Sequence, residues 1–117
     1  MNAELRELLT IEHEPLDSIR PESDAFCVSL RALIGLSNSP GEDSFDFDVC
    51  SPAWLQAELD RHAVIGGRFL VITRDFEPKR ITEYVRKRIS QASGSDWPTI
   101  ASKIARWSRW EFEDYRS

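Results

Sequence analysis

Two cysteines, five glycines and one methionine are all that the 117 residues hold of those types. Two cysteines are too few to staple a small fold, so the chain must be held by burial, and its length is enough for one domain over residues 1–117. No run of 18 apolar residues occurs, which excludes a helical membrane span. The start lacks a basic stretch followed by an apolar block, so no export signal is read and both thiols are expected reduced, in a cytoplasm. Cations are nearly missing from the first half: residues 1–60 carry 3 Lys and Arg against 13 Asp and Glu, while residues 61–117 carry 12 against 7. An acidic half in a chain of net charge −5 argues against nucleic acid as the main ligand, because phosphates need clustered cations. The two halves can pair with each other, or the acidic one can meet a basic partner.

What is present divides into short elements. Residues 3–11 alternate weakly and fit a strand or a short helix. Pro15 and Pro21 bracket a loop over 12–24. In 26–34, Phe26, Val28, Leu30, Ala32 and Ile34 point one way and Cys27, Ser29 and Arg31 the other, a half-buried strand. A Gly/Ser/Asn/Pro connection follows, and then Phe45, Phe47 and Val49 alternate with Asp46, Asp48 and Cys50. If these two strands pair so that residue numbers sum to 77, Cys27 faces Cys50 and Arg31 faces Asp46. Registers shifted by two keep the same sidedness, so this is one of about three. Adjacent cysteines leave open a disulfide or two free thiols.

Ser51-Pro52 starts a helix, serine capping the free N–H groups and proline fitting the first position, with Trp54, Leu55 and Leu59 inward. Phe69, Leu70, Val71 and Ile72 form an apolar run expected in a central, well-covered strand. A second helix from Pro78 carries Ile81, Tyr84, Val85 and Ile89 on one stripe among five cations. Two carboxylates interrupt those cations, and a solvated face explains them better than RNA or DNA contact. A third begins near Ser95 or Asp96 with Trp97, Ile100, Ala101, Ile104 and Trp107 inward. The fold class expected is α+β: an antiparallel sheet of about four strands with about three helices packed on one face.

Catalytic chemistry is scarce. His13 and His62 lack partners at metal-ligand spacing, so no metal and no cofactor is expected. Cys50 precedes a helix start that favours a thiolate, but His62 sits about 15 Å along that helix at 1.5 Å per residue, out of reach as a base. Gly66-Gly67 is too short for a phosphate loop. Asp46 and Asp48 share a strand face with no burial signal, so no acid–base pair and no enzyme is read. What remains is recognition. Glu42, Asp43, Asp46 and Asp48 in the middle of the chain, and Glu111, Glu113 and Asp114 near its end, are the candidate partner-binding residues. The terminal W-S-R-W-E-F-E-D-Y stretch, Trp107 to Tyr115, sets carboxylates on aromatic anchors. Charged rims speed association and aromatics supply affinity. Trp107 and Phe112 also fit a core, and the acids also fit a merely solvated face.

The strings S-F-D-F-D-V-C-S-P-A-W-L (Ser44–Leu55) and G-R-F-L-V-I (Gly67–Ile72), Trp97 after a Ser-Gly-Ser-Asp turn, and W-E-F-E-D-Y (Trp110–Tyr115) resemble the immunity protein family numbered eight of bacterial polymorphic toxin systems. The resemblance runs from about residue 26 to 116. Ser51, Trp54, Trp110, Glu111 and Phe112 match its motifs, and such positions serve folding as readily as recognition. The resemblance implies a non-enzymatic α+β antitoxin that neutralises a cognate protein toxin, with a basic nuclease-type domain as the kind an acidic surface would cover. An adaptor or regulatory subunit binding a cellular protein is the alternative.

Overall fold

The two best-patterned segments form the centre of the fold. In the computed structural model, which describes residues 1–113, β2 (Cys27–Leu36) and β3 (Asp43–Cys50) run antiparallel with Cys27 opposite Cys50, Leu30 opposite Phe47 and Arg31 opposite Asp46. The numbers sum to 77 throughout, the register in which every cross-strand pair keeps its side. Strand β1 (Ala3–Thr10) adds antiparallel to β2, with a register shift between Leu5 and Glu7. That irregularity explains the weak alternation of 3–11: it brings Leu5 and Leu8, three apart, onto the same packed side. In the following loop a single 3-10 turn, Leu16–Ser18, drops Leu16 into the core.

The far edge of β3 is shared. Its C-terminal half pairs in parallel with β4 (Leu70–Ile72), and its N-terminal half pairs antiparallel with β5 (Arg109–Trp110). The five-stranded sheet is thus antiparallel except at β4, where α1 (Pro52–His62) provides the crossover that a parallel neighbour needs. Helices α2 (Pro78–Ser90) and α3 (Trp97–Ile104) supply the other layer of the core: Ile81, Val85, Ile89, Ile100 and Ile104 pack with Leu30, Ile34, Phe45, Phe47 and Val49.

Four expectations are corrected. The run at 68–73 is no covered central strand: β4 has three residues at an edge, and Ile72 is 58% exposed. Helix α1 has no buried residue and Leu59 is exposed, since this helix bridges two strands without inserting into the core. Tyr84 is 40% exposed, at the margin of its stripe. Trp107 is buried, edge-on to Phe47, but Phe112 beyond β5 is 41% exposed.

Candidate partner-binding surface

Side chains alternate across the sheet, so the face away from α2 and α3 carries Ser29, Arg31, Ser44, Asp46 and Asp48. The carboxylates there are engaged. Asp46 and Arg31 form a forked pair, Nε to Oδ1 at 2.8 Å and Nη2 to Oδ2 at 2.9 Å, each side chain 32% exposed. Donation to the Asp46 carboxylate raises the Arg31 pKa above its ordinary value. Asp48 accepts the Ser29 hydroxyl at 2.7 Å.

The acids near the chain end are held too. Glu111 accepts the Ser44 N–H at 2.7 Å, closing the β3–β5 junction. Glu113 takes both Nη atoms of Arg68 at 3.0 and 2.7 Å, and Arg68 also donates to the Ala105 carbonyl at 2.6 Å. Arg68 and Arg109 stand over the Phe69 ring, 4.7 and 4.6 Å from its centre.

Asp43 has a different task. Its Oδ2 accepts the indole N–H of Trp97 at 2.7 Å and of Trp110 at 3.0 Å. Both indoles flank the fully buried Phe45, Trp97 edge-on at 6.1 Å and Trp110 stacked at 6.3 Å. One oxygen therefore ties the start of β3 to α3 and β5. Of the remaining candidates, Glu42 is exposed with no bonded partner among the described residues, and Asp114 lies outside them.

Asp46, Glu111 and Glu113 come together in one shallow cup with Arg31, Arg109 and Trp110. Glu42 and Asp43 border a separate cleft beside Trp97. Asp48 lines neither. The acids are thus interleaved with arginines rather than gathered in a bare acidic patch. Arg31 was legible from the register, but nothing local signals that Arg68 reaches Glu113 or that Arg109 lines the same cup.

Nothing here favours a thiol nucleophile. Burial, with Asp48 second, pushes the Cys27 thiol up to about 12 and raises Cys50 as well. Both cysteines are free. Among the described residues no His, Cys, Asp and Glu group has metal-site geometry, and no helix is long and apolar enough to cross a membrane.

A family model described as Immunity protein 8 matches residues 3–115. The chain belongs to the Immunity protein 8 family. No curated protein and no solved structure matches it. In this Immunity protein 8 member, several motif residues do structural work. Ser51 Oγ caps α1 by accepting the Trp54 N–H at 3.2 Å and also accepts the buried Phe26 N–H at 3.1 Å. Trp110 and Glu111 fasten β5 to β3. The match to nearly the whole chain includes the acidic loop 12–24, which the motif strings do not reach.

Proposed function

We propose that this chain is an antitoxin that binds and neutralises one protein toxin, encoded beside it, in the cytoplasm of the producing bacterium, by stoichiometric contact and without catalysis or a cofactor. The observation that carries the reading is the Immunity protein 8 match over residues 3–115. We place the contact on the acidic candidates, Glu42, Asp46, Asp48, Glu111 and Glu113, with Asp114 beyond the described residues and Asp43 holding the aromatic wall behind them. A carboxylate offers about four lone-pair sites, so Asp48 and Glu111, which each spend one, keep acceptors for a partner's arginines. Neighbouring arginines hold Asp46 and Glu113 in fixed positions, which lowers the cost of ordering them on binding. A basic toxin, of the nuclease kind, suits such a surface.

Expressing the adjacent gene with and without this chain tests the function. Killing by the neighbour alone, rescue by this chain and a one-to-one complex on pull-down are expected. A lethal neighbour that this chain neither binds nor rescues would overturn the reading. Glu42→Lys with Asp48→Lys tests the surface, since neither residue is ion-paired among the described residues. Tenfold weaker binding with unchanged circular dichroism is expected, and unaltered affinity removes these acids from the interface.

A further inference from the structure

Among the described residues, strand β4 is bonded on one side only. The Asp48 N–H donates to the Phe69 carbonyl at 2.8 Å and the Thr73 N–H to the Cys50 carbonyl at 2.9 Å. In a parallel ladder the bonding residues alternate, so 69, 71 and 73 face β3, and the backbone groups of Leu70 and Ile72 face the opposite edge. There the Leu70 N–H turns back onto the Gly67 carbonyl at 3.1 Å. The Leu70 carbonyl and the N–H and carbonyl of Ile72 have no partner among the described residues. Beside this edge lies a cleft of about 240 Å³ lined by Leu70, Val71, Ile72, Ile81, Tyr84 and Arg80. Ile72 is the most exposed side chain of the strand, and Tyr84 faces it across the cleft, also exposed.

We infer that the free edge of β4 receives an extended segment of the toxin, which adds as a further strand, apolar at its centre and carboxylate-bearing at its ends. This rests on the toxin-binding reading and names a contact along the β4 edge, which adjoins the acidic cup at Arg109. The charges select the occupant. Beyond the N-terminal end of the edge stands Arg109, over Phe69, with no carboxylate in ion-pair range among the described residues. At the other end stand Arg74 and Arg80, whose pairs with Asp75 and Glu77 are solvent-exposed and therefore weak and exchangeable. At about 3.3 Å per residue, three residues span roughly 10 Å, so one short segment reaches both ends. A second copy of this chain is the poorer fit, since edge-to-edge pairing sets these arginines against their own copies. Main-chain bonds give such an addition affinity, and the side chains of alternate residues give it specificity.

Amide exchange on the full chain, alone and in complex with the adjacent toxin domain, reads the contact directly. The Ile72 amide is expected to slow at least tenfold on binding, while the Val71 amide, already turned toward β3, changes little. Ile72→Pro removes only the outward N–H and is expected to weaken binding tenfold or more. Ile72→Thr, which keeps that N–H, retains most of the affinity. Should the proline variant fail to fold, Arg80→Glu on the exposed face of α2 is expected to weaken binding by a similar factor. A complex in which Ile72 exchanges as in the free chain, or which forms equally well with Arg80→Glu, overturns the inference and leaves the toxin reading standing. Failure of any complex to form defeats the toxin reading and this inference with it. A dimer of the chain alone that Ile72→Pro dissolves assigns the edge to a second copy and also overturns it.

Discussion

Replacing Asp43 by alanine separates a folding role from a binding role at one of the acids that the sequence nominates for recognition. The change removes one oxygen that accepts two indole N–H groups, from Trp97 and Trp110. A hydrogen bond to a charged group contributes about 1.5–3 kcal/mol, and Asp43 is only half-buried, so the lower end applies to each: about 3 kcal/mol in total. For a domain of this size that is a fall in Tm of about 10 °C. Asp43→Asn keeps an acceptor oxygen and loses its charge, and about 1 kcal/mol is expected. Urea denaturation followed by tryptophan emission measures both, because the indoles are the groups released. A double-mutant cycle with Trp97→Phe, which deletes one donor and keeps a ring, should show coupling of about 1 kcal/mol. If Asp43→Ala melts within 2 °C of the parent, with unchanged emission, the clamp is no support of the fold. If toxin affinity alone then falls, Asp43 belongs to the interface.

Two further outcomes follow from the opposite end of β3. Ser51→Ala removes the cap of α1 and leaves the buried Phe26 N–H without an acceptor; the cap contributes about 1 kcal/mol and the stranded N–H costs about 1–3 kcal/mol, so denaturation should show a loss of roughly 2–4 kcal/mol. The Cys27 thiol, held up to about 12 from an ordinary 9.0, should react slowly with iodoacetamide at pH 8 beside a thiol of the unfolded chain. Because its folded pKa is raised, its contribution is fully present below pH 9 and is lost as pH climbs toward 12; Cys27→Ser should flatten that fall, and an unchanged slope counts against the burial argument.

Much of the fold is legible because two signals coincide in β2 and β3. Alternation sets which side faces the core, and the pairing of Arg31 with Asp46 and of Cys27 with Cys50 agrees with one register. The helix starts at Ser51-Pro52 and Asp96 are local chemistry and appear where the sequence puts them. What was hidden depends on closure of distant segments. An apolar run such as Phe69–Ile72 looks the same whether its strand is central or at an edge, because hydropathy does not record the number of neighbours. Leu59 looked inward because α1 was expected to pack like a core helix. The engagement of Glu111 and Glu113 was invisible because Ser44 and Arg68, which hold them, lie 67 and 45 residues away.

The Asp43 clamp also sets a clock. Its carboxylate is among the first parts of β3 to be made, yet the two indoles that satisfy it follow 54 and 67 residues later. At a synthesis rate of about 5–20 residues per second, a nascent chain spends roughly 3–13 seconds with that strand begun and its last neighbour not yet translated. Under the antitoxin function proposed above, a growing chain would be no shield until its closing aromatics emerge, and a cell that makes a toxin from the neighbouring gene would draw its protection from a standing stock of finished molecules.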